Sequence, residues 1–289
     1  MKRFINIIYI VTAVLLLGCN SSEKRWIKGN ETFGDLETAI KNAATCTNLI
    51  IRNQLPSGKT LSKPGTITDD IAKLVNLKTL SIYGINQTEL PQSLGELSNL
   101  ETIYINGYNL MTDELKIHGV LSRILSLKKL TIRNCNLSKV PPLPKKIEHL
   151  DLANNHILIV NLSELPTSLR YVALSSNDIT TITSSNSLKN LEVLDLAENQ
   201  LEHLHLNHIT HSPIRRLSLS MNPLKSVLGS KSIPITTLEA VRINLDVVES
   251  LISQQTKHAW LTVPQNESTR DSLVKKYPST EFMWFYDTN

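Results

Sequence analysis

The chain has 289 residues, of which 41% are hydrophobic, 5% aromatic and 19% charged, and its formal net charge is +4. Acidic and basic residues are interspersed without a basic block, so the composition does not indicate nucleic-acid binding. Three cysteines are too few for a disulfide scaffold.

Residues 1–18 have the pattern of a secretion signal. Lys2 and Arg3 form a positive start, and an apolar run follows from about Phe4 to Leu17. The run is shorter than the roughly 20 apolar residues of a transmembrane helix. Its end, Leu-Leu-Gly-Cys19, resembles the lipobox of bacterial lipoproteins. That resemblance implies cleavage before Cys19 and attachment of lipid to its sulfur. The alternative is an ordinary secreted protein with a chance cysteine.

The residue after the cysteine and the polar stretch beyond it bear on location. In the lipoprotein family, an aspartate at the position of Asn20 often retains the protein in the inner membrane, so asparagine here favours the outer membrane of a bacterial cell envelope. Residues 19–31 are mostly polar and are predicted to form a tether between the lipid and a domain over residues 32–289.

Residues 32–76 are predicted to form an N-terminal cap. Thr32 to Asp35 precede an apolar pattern typical of a short capped helix, and a strand-like run follows from Asn48 to Asn53. Such a cap would cover the open end of a repeating structure.

A repeat dominates the rest of the chain. Residues 191–201 (LEVLDLAENQL) match L-x-x-L-x-L-x-x-N-x-L, and similar copies begin at Ile147, Leu169 and Ile214. The pattern resembles that of the leucine-rich-repeat family. The resemblance implies an α/β fold, a right-handed solenoid with a curved parallel sheet on its concave face and loops, extended segments and short helices on its convex face. The asparagines of the pattern are predicted to satisfy backbone groups inside each coil. They are Asn155, Asn177, Asn199 and Asn222.

Looser repeats extend the predicted solenoid over residues 77–245. Ile85, Tyr108 and Cys135 stand where asparagine is expected, and Leu238-x-x-Val241-x-Ile243 is predicted as a further strand. Segments after Leu90 and Leu110 are predicted to be partly helical. Those around Pro144 and Pro166 are predicted to be extended and resemble the short repeats of bacterial leucine-rich effector proteins in geometry.

Residues 246–289 are predicted to form a C-terminal cap. A strand is expected at Trp260–Val263, a helix at about Asn266–Tyr277 and an aromatic strand at Glu281–Tyr286. The aromatic side chains are interpreted as core residues that close the last coil.

The cysteines and histidines that could form a catalytic or metal site do not indicate an enzyme. Cys46 and Cys135 would lie about three coils, or roughly 14 Å, apart, so both are predicted to be buried free thiols. Residues 202–211 contain four histidines, which allow a zinc site, although a solvated polar face is the default interpretation. The sequence shows no nucleotide-binding or nucleophile motif. We therefore predict a non-enzymatic protein without a cofactor.

The outward positions of the predicted strands supply the candidate site. They carry aromatic and charged side chains of the kinds that dominate protein interfaces. The predicted partner-binding residues are Tyr83, Tyr104, Lys129, Arg133, His149, Asp151, Tyr171, Asp195, Arg216 and Arg242. The expected ligand is a protein of unknown identity, and the chain itself is also expected to contact the membrane through lipidated Cys19. The alternative ligand is a polysaccharide or another envelope component, with the tyrosines stacking on sugars.

Overall fold

The computed structural model describes residues 31–53, 65–85, 87–107, 113–183, 188–206, 212–229, 233–262 and 267–286. The predicted signal sequence, Cys19 and the tether up to residue 30 lie outside these ranges, as do Tyr108, His208 and His211. Within them, none of the helices combines the length and the apolar character needed to span a bilayer.

A parallel sheet of twelve strands runs through the described residues, with one strand from each coil in chain order. These strands are β1 (Glu31–Phe33), β2 (Cys46–Arg52), β3 (Thr79–Tyr83), β4 (Thr102–Asn106), β5 (Lys129–Arg133), β6 (His149–Asp151), β8 (Tyr171–Ala173), β10 (Val193–Asp195), β12 (Arg216–Ser218), β14 (Thr237–Ala240), β15 (His258–Thr262) and β16 (Glu281–Phe285). Every neighbouring pair is parallel. The predicted solenoid is confirmed.

The leucine spacing of the repeat explains the burial pattern. Leu194 and Leu196 alternate with Val193 and Asp195, so both leucines point into the coil and are buried. Equivalent apolar residues of successive coils stack into one continuous core. A single coil could not bury this face without its neighbours, which is the reason that repeats stabilise one another.

Short helices cover the convex side and the ends. The α-helices are α1 (Leu36–Lys41), α2 (Val120–Arg123), α3 (Leu245–Val248) and α4 (Glu267–Lys276), and 3₁₀ turns occur at Asp69–Lys73, Gln92–Glu96, Leu162–Glu164 and Glu249–Leu251. Asp35 caps α1, where its carboxylate accepts a 2.8 Å hydrogen bond from the Thr38 N–H. The helices predicted near both ends of the chain are confirmed.

Two small parallel sheets were not predicted. One joins β7 (Ile159–Asn161) to β9 (Thr181–Thr183), and the other joins β11 (His203–His205) to β13 (Ser226–Leu228). They line the convex side of the short asparagine-containing coils. A coil of about 22 residues leaves little room for a helix, so an extended return segment pairs with its neighbour instead.

The predicted asparagine ladder is present in these coils. The Asn199 amide donates 3.0 Å hydrogen bonds to the carbonyls of Leu174, Leu196 and Ala197, and its oxygen accepts one from the Ile179 N–H at 3.0 Å. The other ladder asparagines make equivalent bonds. These are Asn155, Asn177 and Asn222. Each asparagine therefore joins two successive coils through buried backbone groups.

Cys135 takes the ladder position in an earlier coil. Its thiol donates to the Arg133 carbonyl at 3.2 Å, and its N–H donates to the Asn155 side chain at 3.1 Å. Burial raises the pKa of the Cys135 thiol to about 12, so the group stays protonated. Cys46 and Cys135 are both buried and free, as predicted.

A line of opposite charges runs along one rim of the sheet, at the residue that precedes or opens each strand. The backbone N–H of each member after the first donates to the carbonyl of the member in the previous coil. This charge ladder consists of Lys78, Glu101, Lys128, Glu148, Arg170, Glu192 and Arg215. Its signs alternate without exception, and side-chain ion pairs join Lys128 to Glu101 and Arg170 to Glu192.

The predicted register of the coil after Leu224 is wrong. Leu238 pairs with Leu217, so the inward residues of β14 are Leu238 and Ala240 rather than Val241 and Ile243. The second inward position of β14 is occupied by Ala240, so the coil does not match a repeat pattern that requires leucine there. Consequently Arg242 lies in the turn after β14, with φ of 61°, and not on a concave strand.

Met221 occupies the turn residue before a ladder asparagine in a left-handed conformation, with φ of 59° and 39% exposure. The left-handed conformation costs a residue with a Cβ about 1 kcal/mol, and asparagine tolerates it better than methionine does. Asn154 holds the equivalent turn three coils earlier. We expect Met221→Asn to raise the free energy of unfolding by roughly 0.5–1 kcal/mol in urea denaturation. An unchanged or lower midpoint would contradict this.

Candidate partner-binding surface

The outward residues of the sheet form straight rows because neighbouring strands pair in register. One row passes from Lys129 through His149, Tyr171 and Val193 to Arg216. A second row lies two residues further along each strand. Its members are Thr131, Asp151, Ala173, Asp195, Ser218, Glu239 and Trp260. With strands about 4.8 Å apart, residues of one row meet side by side.

Aromatic rings pack against one another along this face. His149 and Tyr171 stack with centroids 4.0 Å apart and planes 8° from parallel. Tyr83 and Tyr104 lie 5.0 Å apart, and the Arg52 guanidinium sits 4.5 Å from the Tyr83 centroid. Burial lowers the pKa of His149, which favours a neutral imidazole in the stack. These contacts hold the rings in fixed positions.

Two arginines on the face are paired with carboxylates. Arg133 binds Asp151 bidentately, with Nε 3.0 Å from both carboxylate oxygens and Nη2 2.5 Å from Oδ2. The Arg133 side chain is 33% exposed, whereas that of Asp151 is only 6% exposed. Arg216 Nη2 lies 2.6 Å from Glu239 Oε1. Both pairs neutralise charge on the face.

Asp195 and Glu239 are carboxylates on the same row, separated by Ser218. Burial raises the pKa of both groups above their usual values. Hydrogen bonds from the Ala197 N–H and from serine side chains oppose the shift at Asp195, as does the charge of Arg216. Folding therefore disfavours the ionised form of each carboxylate.

This shift gives a pH dependence with a definite sign. A carboxyl with a raised pKa in the folded state binds more protons folded than unfolded, so its contribution to stability falls as the pH rises from the unfolded value through the folded one. We expect Asp195→Asn, which removes that ionisation, to stabilise the protein more at pH 7 than at pH 4. Denaturant titrations at both pH values measure the difference. An equal effect at both would contradict the raised pKa.

Nine of the ten predicted partner-binding residues lie on outward positions of strands β3 to β12, and Arg242 does not. Sequence reasoning missed Arg52, Glu239 and Trp260, which also face the concave side. Correct pairing of Leu238 with Leu217 would have identified Glu239. Among the described residues, no group of three or more His, Cys, Asp or Glu side chains could hold a metal ion.

Comparison with known proteins gives partial matches. Human oligodendrocyte-myelin glycoprotein is 31% identical over 160 residues, which cover 54% of this chain and 34% of that protein. Rat lumican is 38% identical over 102 residues, covering 34% and 30% of the two chains. This chain thus spans about a third of the length of the curated relatives it matches. No protein-family model matches it.

A solved structure matches over most of the chain. An internalin (inlF) from Listeria monocytogenes superposes with a TM-score of 0.58 at 15% identity, covering 88% of this chain and 73% of the internalin. At 15% sequence identity, this structural similarity is evidence for a shared fold alone. It agrees with the twelve parallel strands and the asparagine ladder described above. The chain therefore has the leucine-rich-repeat fold.

Proposed function

We propose that this chain is a membrane-anchored, non-catalytic binding protein that holds a protein partner on its concave face. The observation that carries the proposal is the row of aromatic and charged side chains that neighbouring strands hold in place. Binding to such a surface costs little side-chain ordering, which leaves more of the interaction energy as affinity. Tyrosine and arginine are also the side chains that most often dominate interface energetics.

The ring contacts favour a protein over a sugar. Stacking on a sugar requires an open aromatic face, but His149 and Tyr171 cover one face of each other, and Arg52 lies over the ring of Tyr83. The resulting surface combines ring edges, hydroxyl groups and ion-paired charges, a mosaic of small apolar and polar areas. A polypeptide, with alternating apolar and hydrogen-bonding groups, complements such a mosaic.

Photo-crosslinking in the native organism tests the face. A benzophenone amino acid is placed at Tyr104 or Tyr171 on the concave side, and at exposed Lys225 on the convex side as the matched control. We expect one discrete protein adduct from the concave positions and none from Lys225. Adducts from Lys225 alone, or adducts composed of polysaccharide, would overturn the assignment. Arg133 is avoided because its loss would unpair buried Asp151.

The anchor proposal rests on the lipobox resemblance around Cys19. We expect a Cys19→Ala protein to leave the membrane fraction, whereas a Cys135→Ala control, altered at a buried cysteine, should remain there. Protease treatment of intact cells then reports whether the domain faces outward. Membrane association of the Cys19→Ala protein would exclude anchoring through this cysteine.

A further inference from the structure

The twelve-stranded sheet ends at β16, which is an edge strand. It pairs with β15 on one side, and the described residues place no strand on its other side. The Glu281 N–H donates to the Lys257 carbonyl at 2.7 Å, so alternate residues from Glu281 onward turn their backbone groups towards β15. The N–H and C=O groups of Phe282 and Trp284 therefore point towards the open edge. Such a row of backbone groups is a template for a further strand.

The side chains of β16 are also incompletely covered. Phe282 and Trp284 continue the inward rows of Ala259 and Leu261, which are fully buried. The two aromatic rings stack with centroids 5.5 Å apart and pack against the core, yet both remain partly exposed. Inward residues of a coil are buried by the coils on both sides of it. A further layer against β16 would complete the burial of these rings.

The two edges of the sheet differ in how well they could accept another strand. At the opposite edge, the pairing of β1 with β2 is irregular between Glu31 and Thr32. Irregular pairing, lysine and proline are features that hinder the addition of a strand to an edge. By contrast, β16 pairs in unbroken register over all five residues and contains neither lysine nor proline. The regular geometry that a further strand requires is thus present at β16.

The sequence of β16 is complementary to itself in the antiparallel direction. A two-fold axis at Met283 places Phe282 of each copy opposite Trp284 of the other. Directly opposed residues of this kind exchange two N–H···O=C hydrogen bonds, so every outward backbone group of Phe282 and Trp284 gains a partner. The aromatic side chains of the two copies meet on the core side. Glu281 lies opposite Phe285, so no like charges face each other.

We propose that β16 binds β16 of a second copy of this chain, which joins two twelve-stranded sheets into one. A second copy is favoured over an unrelated strand because one short segment satisfies both sides of the contact, as in an isologous dimer. The two-fold axis is perpendicular to the sheet, so both concave faces lie on the same side and form one longer surface. This inference does not depend on which ligand that surface binds.

Disulfide cross-linking measures both the contact and its register. In the proposed dimer the two copies of Met283 have Cα atoms about 4.5 Å apart, which a disulfide can bridge. The two copies of Glu281 lie about 14 Å apart along the strands, which is too far. The full chain with Cys19→Ala carries either Met283→Cys or Glu281→Cys, and Cys46 and Cys135 are buried. After oxidation with copper phenanthroline, we expect at least about tenfold more covalent dimer from Met283→Cys.

Sedimentation equilibrium measures the dimer without a cross-link. The full chain in a density-matched non-ionic detergent is expected to have twice the mass of one copy. Met283→Lys places two ammonium groups opposite each other at the two-fold axis and should weaken the dimer at least about tenfold. Met221→Lys is the matched control, because Met221 and Met283 are each 39% exposed and Met221 lies outside β16. Circular dichroism verifies that both variants are folded.

Three results would overturn the proposal. The first is a monomeric wild-type chain, and the second is a folded Met283→Lys protein that dimerises as well as Met221→Lys. The third is equal cross-linking of Met283→Cys and Glu281→Cys, which would show contact without the proposed register. Photo-crosslinking from Tyr104 tests the ligand of the concave face in a monomer and in a dimer alike, so that function can stand or fall separately.

Discussion

Replacing Asn199 by alanine is expected to lower the free energy of unfolding by about 3–5 kcal/mol. The side chain makes four hydrogen bonds to backbone groups inside the coil, at Leu174, Ile179, Leu196 and Ala197. Alanine cannot make any of them, and each buried group left unmatched costs about 1–3 kcal/mol before relaxation. Urea denaturation followed by circular dichroism measures the loss.

Asn190→Ala is the matched control for this prediction. Asn190 is exposed, and its amide makes one 2.9 Å hydrogen bond to the Thr167 carbonyl of the preceding coil. Water can replace that bond, so we expect a loss of about 1 kcal/mol or less. Similar losses for Asn190→Ala and Asn199→Ala would show that the ladder bonds are not what holds adjacent coils together.

The second large effect is expected at Arg133. Arg133→Met leaves the buried Asp151 carboxylate without its cation and should destabilise the protein by about 3 kcal/mol. Adding Asp151→Ala should recover most of that loss, because an unpaired buried charge costs more than the absence of both partners. Alanine is compatible with this position, since Ala173 occupies the same row on the next strand. A double-mutant cycle in urea provides the coupling energy.

Lys128→Met provides the comparison for the Arg133 variant. It removes an exposed cation that lies 3.3 Å from Glu101, where water screens both charges. We expect a change within about 0.5 kcal/mol. An Arg133→Met protein as stable as Lys128→Met, or a double variant less stable than Arg133→Met, would contradict the view that Asp151 depends on Arg133.

The solenoid and most of its concave face could be predicted because leucine spacing fixes which residues point inward. Once Leu194 and Leu196 are assigned to the core, Val193 and Asp195 must face outward. The same logic failed where Ala240 replaces a leucine, and it placed Arg242 on the wrong surface. A single small residue is enough to obscure the period of a coil.

Side-chain partners on the face could not be predicted in the same way. Arg133 and Asp151 are 18 residues apart, and they meet only because the coil between them returns in the register that brings β6 beside β5. The return paths vary in length and include the two small sheets, β7 with β9 and β11 with β13. Those three-residue strands carry too little alternation to be recognised from sequence.

The alternating charge ladder along the rim has a consequence for how such a chain can gain or lose coils. Removing the coil between Glu148 and Glu192, which contains Arg170, would place two carboxylates beside each other on adjacent strands. Removing two consecutive coils would restore a contact between opposite charges, at Lys128 and Glu192 or at Glu148 and Arg215. Each contact is worth only about 0.2–1 kcal/mol, yet it favours deletions and duplications in even numbers. The charge ladder therefore favours the gain or loss of coils in pairs. It also destabilises a misfolded state in which a single coil is skipped.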